Sequence, residues 1–164
     1  MSCTSSMKKT ALLLLTLLLS LGAQAQLGKT KADVLAHWGR EKVLKESPGA
    51  RPGYSALLLE LDSTRYLQVT FKAETAVMLS FMHTDSTISE QQYKAYLAEN
   101  LGAFSPQRSC QLGAKTYLID GRKNQMVVQN HRDEGGAYPL ISLLIAADPA
   151  LVKSLQSRME GVCR

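Results

Sequence analysis

The chain of 164 residues lacks the spacings that mark most catalytic sites. Its three histidines, His37, His83 and His131, include no pair at metal-ligand spacing along a helix. The absence of Cys-x-x-Cys excludes the usual dithiol redox motif. No Gly-x-Ser-x-Gly elbow, phosphate-binding loop or dinucleotide fingerprint occurs, so common nucleophile and nucleotide chemistries lack their local signatures. Lysine and arginine are scattered through loops and helix surfaces instead of gathered in a patch, which argues against a nucleic-acid partner. We therefore assign no catalytic, cofactor-binding or metal-binding residue and expect no cofactor.

A membrane span is also missing from this reading. The apolar run Ala11 to Leu21 is eleven residues long, about 16 Å of helix and well short of a bilayer core. Lys8 and Lys9 precede it, and Ala23-Gln24-Ala25 follows with the small residues of a signal-peptidase site. Residues 1–25 are expected to be a signal peptide cleaved after Ala25, with Met7 an alternative start to Met1. The mature chain, 26–164, then begins at Gln26 as a single α+β domain in the periplasm or outside the cell, with no stable membrane span. The formal charge of +5 and pI near 9.2 shrink accordingly: without Lys8 and Lys9 there remain 17 basic residues against 14 acidic.

Of three cysteines, Cys3 leaves with the leader. Cys110 and Cys163 remain, and an even count in an oxidising compartment predicts a disulfide between them. On the chain-entropy estimate, closing that loop contributes on the order of 4 kcal/mol.

What is present is a sheet. Leu67, Val69 and Phe71 alternate with Tyr66, Gln68, Thr70 and Lys72, a period of two that separates a buried face from a wet one. Tyr54 to Leu61 and Ala76 to His83 flank this segment with connections too short for anything but hairpins. Glu46 to Gly53 reads as a loop by its prolines and glycines. A second strand set, Lys115 to Ile119, Met126 to Asn130 and Tyr138 to Ala146, is separated by the glycine-bearing turns 120–124 and 132–136.

Helices punctuate these strands. Thr30 is placed to cap a helix with apolar stripe Val34, Leu35 and Trp38, and Gly39 ends it. Thr87 with Glu90 offers a capping box for a second helix carrying Tyr93, Tyr96, Leu97 and Leu101. Asp148-Pro149 starts a C-terminal helix over 149–161, with Leu151, Leu155, Met159 and Val162 on its buried side. The expected fold is an antiparallel sheet of about six strands, helices on one face, in the order α-β-β-β-α-β-β-β-α. Residues 27–86 and 87–148 share this order, so a duplicated unit is one reading of it.

The pattern Gly28-x-Thr30-x-x-Asp33-Val34-(x)4-Gly39 resembles the helix signature of the SmpA/OmlA (BamE-like) family and of β-lactamase-inhibitor-like modules. The resemblance covers about twelve residues. It implies a short helix packed on an antiparallel sheet and a protein-binding role in the envelope or beyond it. Glu41 stands where that family usually has proline, and no lipidated cysteine precedes the domain.

Two functional expectations follow. The first is an exported, non-catalytic binding protein that meets another protein or envelope component through a sheet face or loops, with Tyr66, Gln68, Thr70 and Lys72 as the candidate face. The alternative is a small secreted hydrolase or metal-dependent enzyme using His83 or His131, because His83–Asp85 and His131–Asp133 each place imidazole and carboxylate two residues apart.

Overall fold

The structure, a computed structural model, describes residues 26–49, 51–85, 87–131 and 140–159. The elements run α1 (Lys31–Trp38), a 3-10 turn (Arg40–Lys42), β1 (Val43–Pro48), β2 (Tyr54–Glu60), β3 (Arg65–Lys72) and β4 (Thr75–His83), followed by α2 (Glu90–Leu101), β5 (Arg108–Leu112), β6 (Lys115–Asp120), β7 (Gln125–His131), β8 (Leu140–Ala146) and α3 (Pro149–Met159). All eight strands form one sheet in the order β1-β2-β3-β4-β8-β7-β6-β5, and every pairing is antiparallel.

Each of α1 and α2 is thus followed by a four-stranded meander, and the meanders meet where β4 pairs β8. A two-fold axis perpendicular to the sheet between β4 and β8 would generate this order. Such an axis makes the central pair antiparallel and leaves equivalent helices on the same face. Both are observed.

The expected six strands were too few. Val43–Pro48, read as connection and the beginning of a loop, is edge strand β1, and Arg108–Leu112 is edge strand β5. Neither contains a buried residue, so neither carries the alternation by which a strand is recognised. β1 also breaks its register between Val43 and Lys45 and ends on proline, devices that suit an unpaired edge.

Local signals at helix ends are mostly realised. Thr30 and Asp33 make a reciprocal capping box on α1, and Gly39 ends it at φ 87°. For α2 the box is Ser89 with Gln92 instead of Thr87 with Glu90. α3 starts as expected, the Asp148 Oδ1 accepting the Leu151 N–H at 2.8 Å. The expected turn 132–136, Pro139 and Val162 lie outside the described residues.

The larger core lies between one sheet face and helices α1 and α2. Leu57, Leu59, Leu67, Val69, Leu79, Leu143 and Ile145 are fully buried there with Val34 of α1. Tyr93, Tyr96 and Leu97 of α2 pack against them, and the Tyr96 ring stacks on Phe81 with centroids 3.9 Å apart. The opposite face has its own smaller core. Val152 and Met159 of α3 pack there with Ile119, Met126 and Ala146. The alternation along β8 makes this unambiguous: Leu143 and Ile145 belong to the first core, Leu144 and Ala146 to the second. Helices therefore cover both faces, a correction to the one-face expectation. An amphipathic helix needs an apolar surface, and its pattern does not say on which side of the sheet that surface lies.

Candidate functional site

Among the described residues, the α3 face is covered over only part of its width. α3 leaves β8 through Asp148 and runs over Met126, Ile119 and Ala146, with Met78, Tyr117 and Val128 at its margins. On the same face, strands β2, β3, β4 and β8 present Leu58, Gln68, Ser80 and Leu144 as successive register partners. The next row outward is Glu60, Tyr66, Met82 and Ser142. Leu58, Tyr66, Gln68, Ser80, Met82 and Ser142 are all half-buried, and none belongs to either core cluster. Among the described residues no helix lies over them.

This open half contains a phenol, an amide, two serine hydroxyls, a thioether and a leucine, with Glu60 at its margin. Among the described residues neither the Tyr66 hydroxyl nor the Gln68 amide has a side-chain hydrogen-bond partner. Such groups can contact a partner without desolvating an ion pair.

The four residues of the expected wet face share one side of β3 but have different surroundings. Tyr66 and Gln68 lie in the open half. Thr70 is buried at 8% exposure. Lys72 points to the cap of α3, its Nζ donating to the Asp148 Oδ2 at 2.9 Å and standing 5.9 Å from the centroid of the Tyr54 ring. The hydrogen bond to Asp148 is the main reason its pKa is raised. Burial alone would raise the Asp148 pKa, but Lys72 and the Leu151 amide outweigh it and hold the carboxyl below its ordinary range. Lys72 thus anchors α3 and is not available in the open half.

Leu58, Ser80, Met82 and Ser142 were missed in the sequence. Leu58 sits inside Leu57-Leu58-Leu59, where three like residues hide the alternation. Ser142 joins the site through the β4–β8 pairing, which brings together segments some sixty residues apart.

The histidines are dispersed. His83 ends β4 at 7% exposure, on the face covered by α1 and α2, with Arg65 of β3 as its register partner. Among the described residues its buried Nδ1 has no hydrogen-bond partner. Burial lowers its pKa, and the Arg65 guanidinium lowers it further, against smaller opposing effects of Asp62 and Asp85. His131 ends β7, with Nε2 3.3 Å from the Thr116 Oγ1 of β6; Asp133 lies outside the described residues. His37 is exposed on α1, its ring edge-on to Trp38. Among the described residues no three His, Cys, Asp or Glu side chains converge as a metal site, and no helix is long and apolar enough to cross a membrane. Cys110 is half-buried on β5, and Cys163 lies outside the described residues.

No family model matches the chain, and no curated protein matches it. Among solved structures it is similar to a cysteine-rich secretory protein from Staphylococcus aureus Mu50, at 14% identity and TM-score 0.48. It is also similar to an extracellular protein containing an SCP domain from Bacillus anthracis Ames, at 16% identity and TM-score 0.47. Each alignment covers 77% of this chain and 46% of the other, so the chain spans about half the length of those proteins. A DUF4309 family protein from Bacillus subtilis 168 aligns over 77% of this chain and 85% of its own, at 16% identity and TM-score 0.42.

Proposed function

We propose that this is an exported, non-catalytic binding protein that recognises another protein through the open half of its sheet. The observation that supports it most directly is the incomplete cover of that face among the described residues, where the half-buried Tyr66 and Gln68 side chains have no hydrogen-bond partner. Tyrosine and methionine are enriched at protein interfaces because they bring large contact area with little charge to desolvate. Export rests on the leader-like segment 1–25, and the Cys110–Cys163 bridge on the compartment that export implies. The BamE-like resemblance of Gly28 to Gly39 is in keeping with a protein partner in the envelope.

The test is capture with tagged protein from envelope and medium fractions, read by mass spectrometry, in parallel with Tyr66→Ala, Met82→Asp and Lys94→Gln. A genuine partner is retained by wild type and by Lys94→Gln, which changes an exposed α2 residue. It is lost or weakened with both open-face variants. Equal recovery by all four proteins, with unfolding curves confirming that each is folded, would rule this face out.

A further inference from the structure

We infer that a second site, apart from the open half of the sheet, takes a small oxyanion between the β6–β7 turn and α3. A cleft of about 270 Å³ lies there, lined by Gln107, Arg108, Ile119, Gly121, Arg122 and Gln156. It falls just below the roughly 300–1,000 Å³ typical of sites that enclose drug-sized ligands, a size suited to a carboxylate- or phosphate-bearing small molecule.

Arg108 opens β5 opposite Ile119, and Arg122 lies in the turn after β6. Both are exposed. Among the described residues neither guanidinium has an ion pair or hydrogen bond. The neighbouring acid, Asp120, is otherwise engaged. It is 1% exposed, its Oδ2 accepts the Ser105 N–H at 3.3 Å and its Oδ1 accepts the Lys123 N–H at 3.2 Å. Among the described residues, the two arginines that line this cleft thus have no counter-ion.

Like charges on one cleft repel, and an anion between them relieves that repulsion. Guanidinium also presents a planar fork of donors that matches the paired oxygens of carboxylate and phosphate. The rim is held by Gln107, whose Oε1 accepts the Gly121 N–H at 3.0 Å and whose Nε2 donates to the Ser105 carbonyl. Gln156 of α3 and the buried Ile119 complete the lining.

The experiment titrates the purified protein with inorganic phosphate in one arm and succinate in the other, at constant ionic strength, following the Gly121 and Arg122 amide resonances. Saturable shifts are expected in at least one arm, and the arm that saturates identifies the anion. Arg108→Gln and Arg122→Gln should each weaken binding at least about tenfold, as expected for losing one charged hydrogen-bonding partner. Arg40→Gln, far from the cleft, should bind as wild type does. If either glutamine variant unfolds, the corresponding Arg→Lys variant, which keeps charge but loses the fork, decides by the same loss. Linear shifts in both arms, or undiminished binding by the folded cleft variants, would overturn the assignment.

Discussion

Lys72 of β3 and Asp148 at the start of α3 form an ion pair of unequal halves. The Nζ–Oδ2 distance is 2.9 Å, with the lysine side chain 45% exposed and the aspartate 5%. Asp148 also caps α3 through the Leu151 N–H, so one carboxylate fixes both the helix start and its attachment to the sheet.

Asp148→Ala should therefore destabilise the protein by about 2 kcal/mol, the upper range for losing a helix cap. The exposed lysine left behind can return to water and adds little. Asp148→Asn should cost less, since its carbonyl can still accept the Leu151 N–H. Because the folded pKa of Asp148 is depressed, its contribution is present above the unfolded value near 3.8 and is lost as pH falls through the folded one. Urea unfolding of the three proteins near neutrality and below pH 4 checks both the order and the sign.

His83 predicts a second, milder acid sensitivity. Its folded pKa lies below the ordinary imidazole value of 6.5, so the unfolded chain takes up the proton first. Its contribution is present above pH 6.5 and is lost as pH falls through the folded value. The slope is bounded by one proton, about 1.4 kcal/mol per pH unit. In His83→Phe the loss of stability between pH 7 and 5.5 should shrink, as measured by urea midpoints at the two pH values. An unchanged pH dependence would show that His83 is not its source.

Packing should separate two strand leucines. Leu67 is fully buried in the larger core, whereas Leu112 on the edge strand is 45% exposed. Leu67→Ala should cost about 2–5 kcal/mol and Leu112→Ala no more than about 0.5 kcal/mol. Denaturant melts of both variants test the placement of β3 at the centre of the core and β5 at the sheet edge.

The proposed Cys110–Cys163 bridge is checked by mass. Alkylation of the exported protein under denaturing conditions should label neither thiol until reductant is added. Reduction should then lower stability by up to about 4 kcal/mol. Labelling of both cysteines without reductant would exclude the bridge.

Much of this architecture can be read without coordinates. Thr30, Asp33 and Gly39 delimit α1, and Asp148-Pro149 starts α3, because caps depend on contacts within a few residues. Leu67, Val69 and Phe71 reveal their buried face because polar residues separate them. Leu57-Leu58-Leu59 offers no such separation, and its inward and outward members are distinguishable only after β2 pairs with β3. The edge strands were hidden for the opposite reason, having no buried residue to set a period.

What the amino-acid order determined by itself was local: helix limits, hairpin turns and the central strands, where the information lies in neighbours along the chain. What only the tertiary structure decided was the pairing of β4 with β8, the side of the sheet taken by α3 and the separation of Tyr66 and Gln68 from Thr70 and Lys72. Residues alternating on a strand declare that they share a face. Whether that face is roofed depends on a helix some eighty residues away in sequence, and on the ion pair that tethers it at one end.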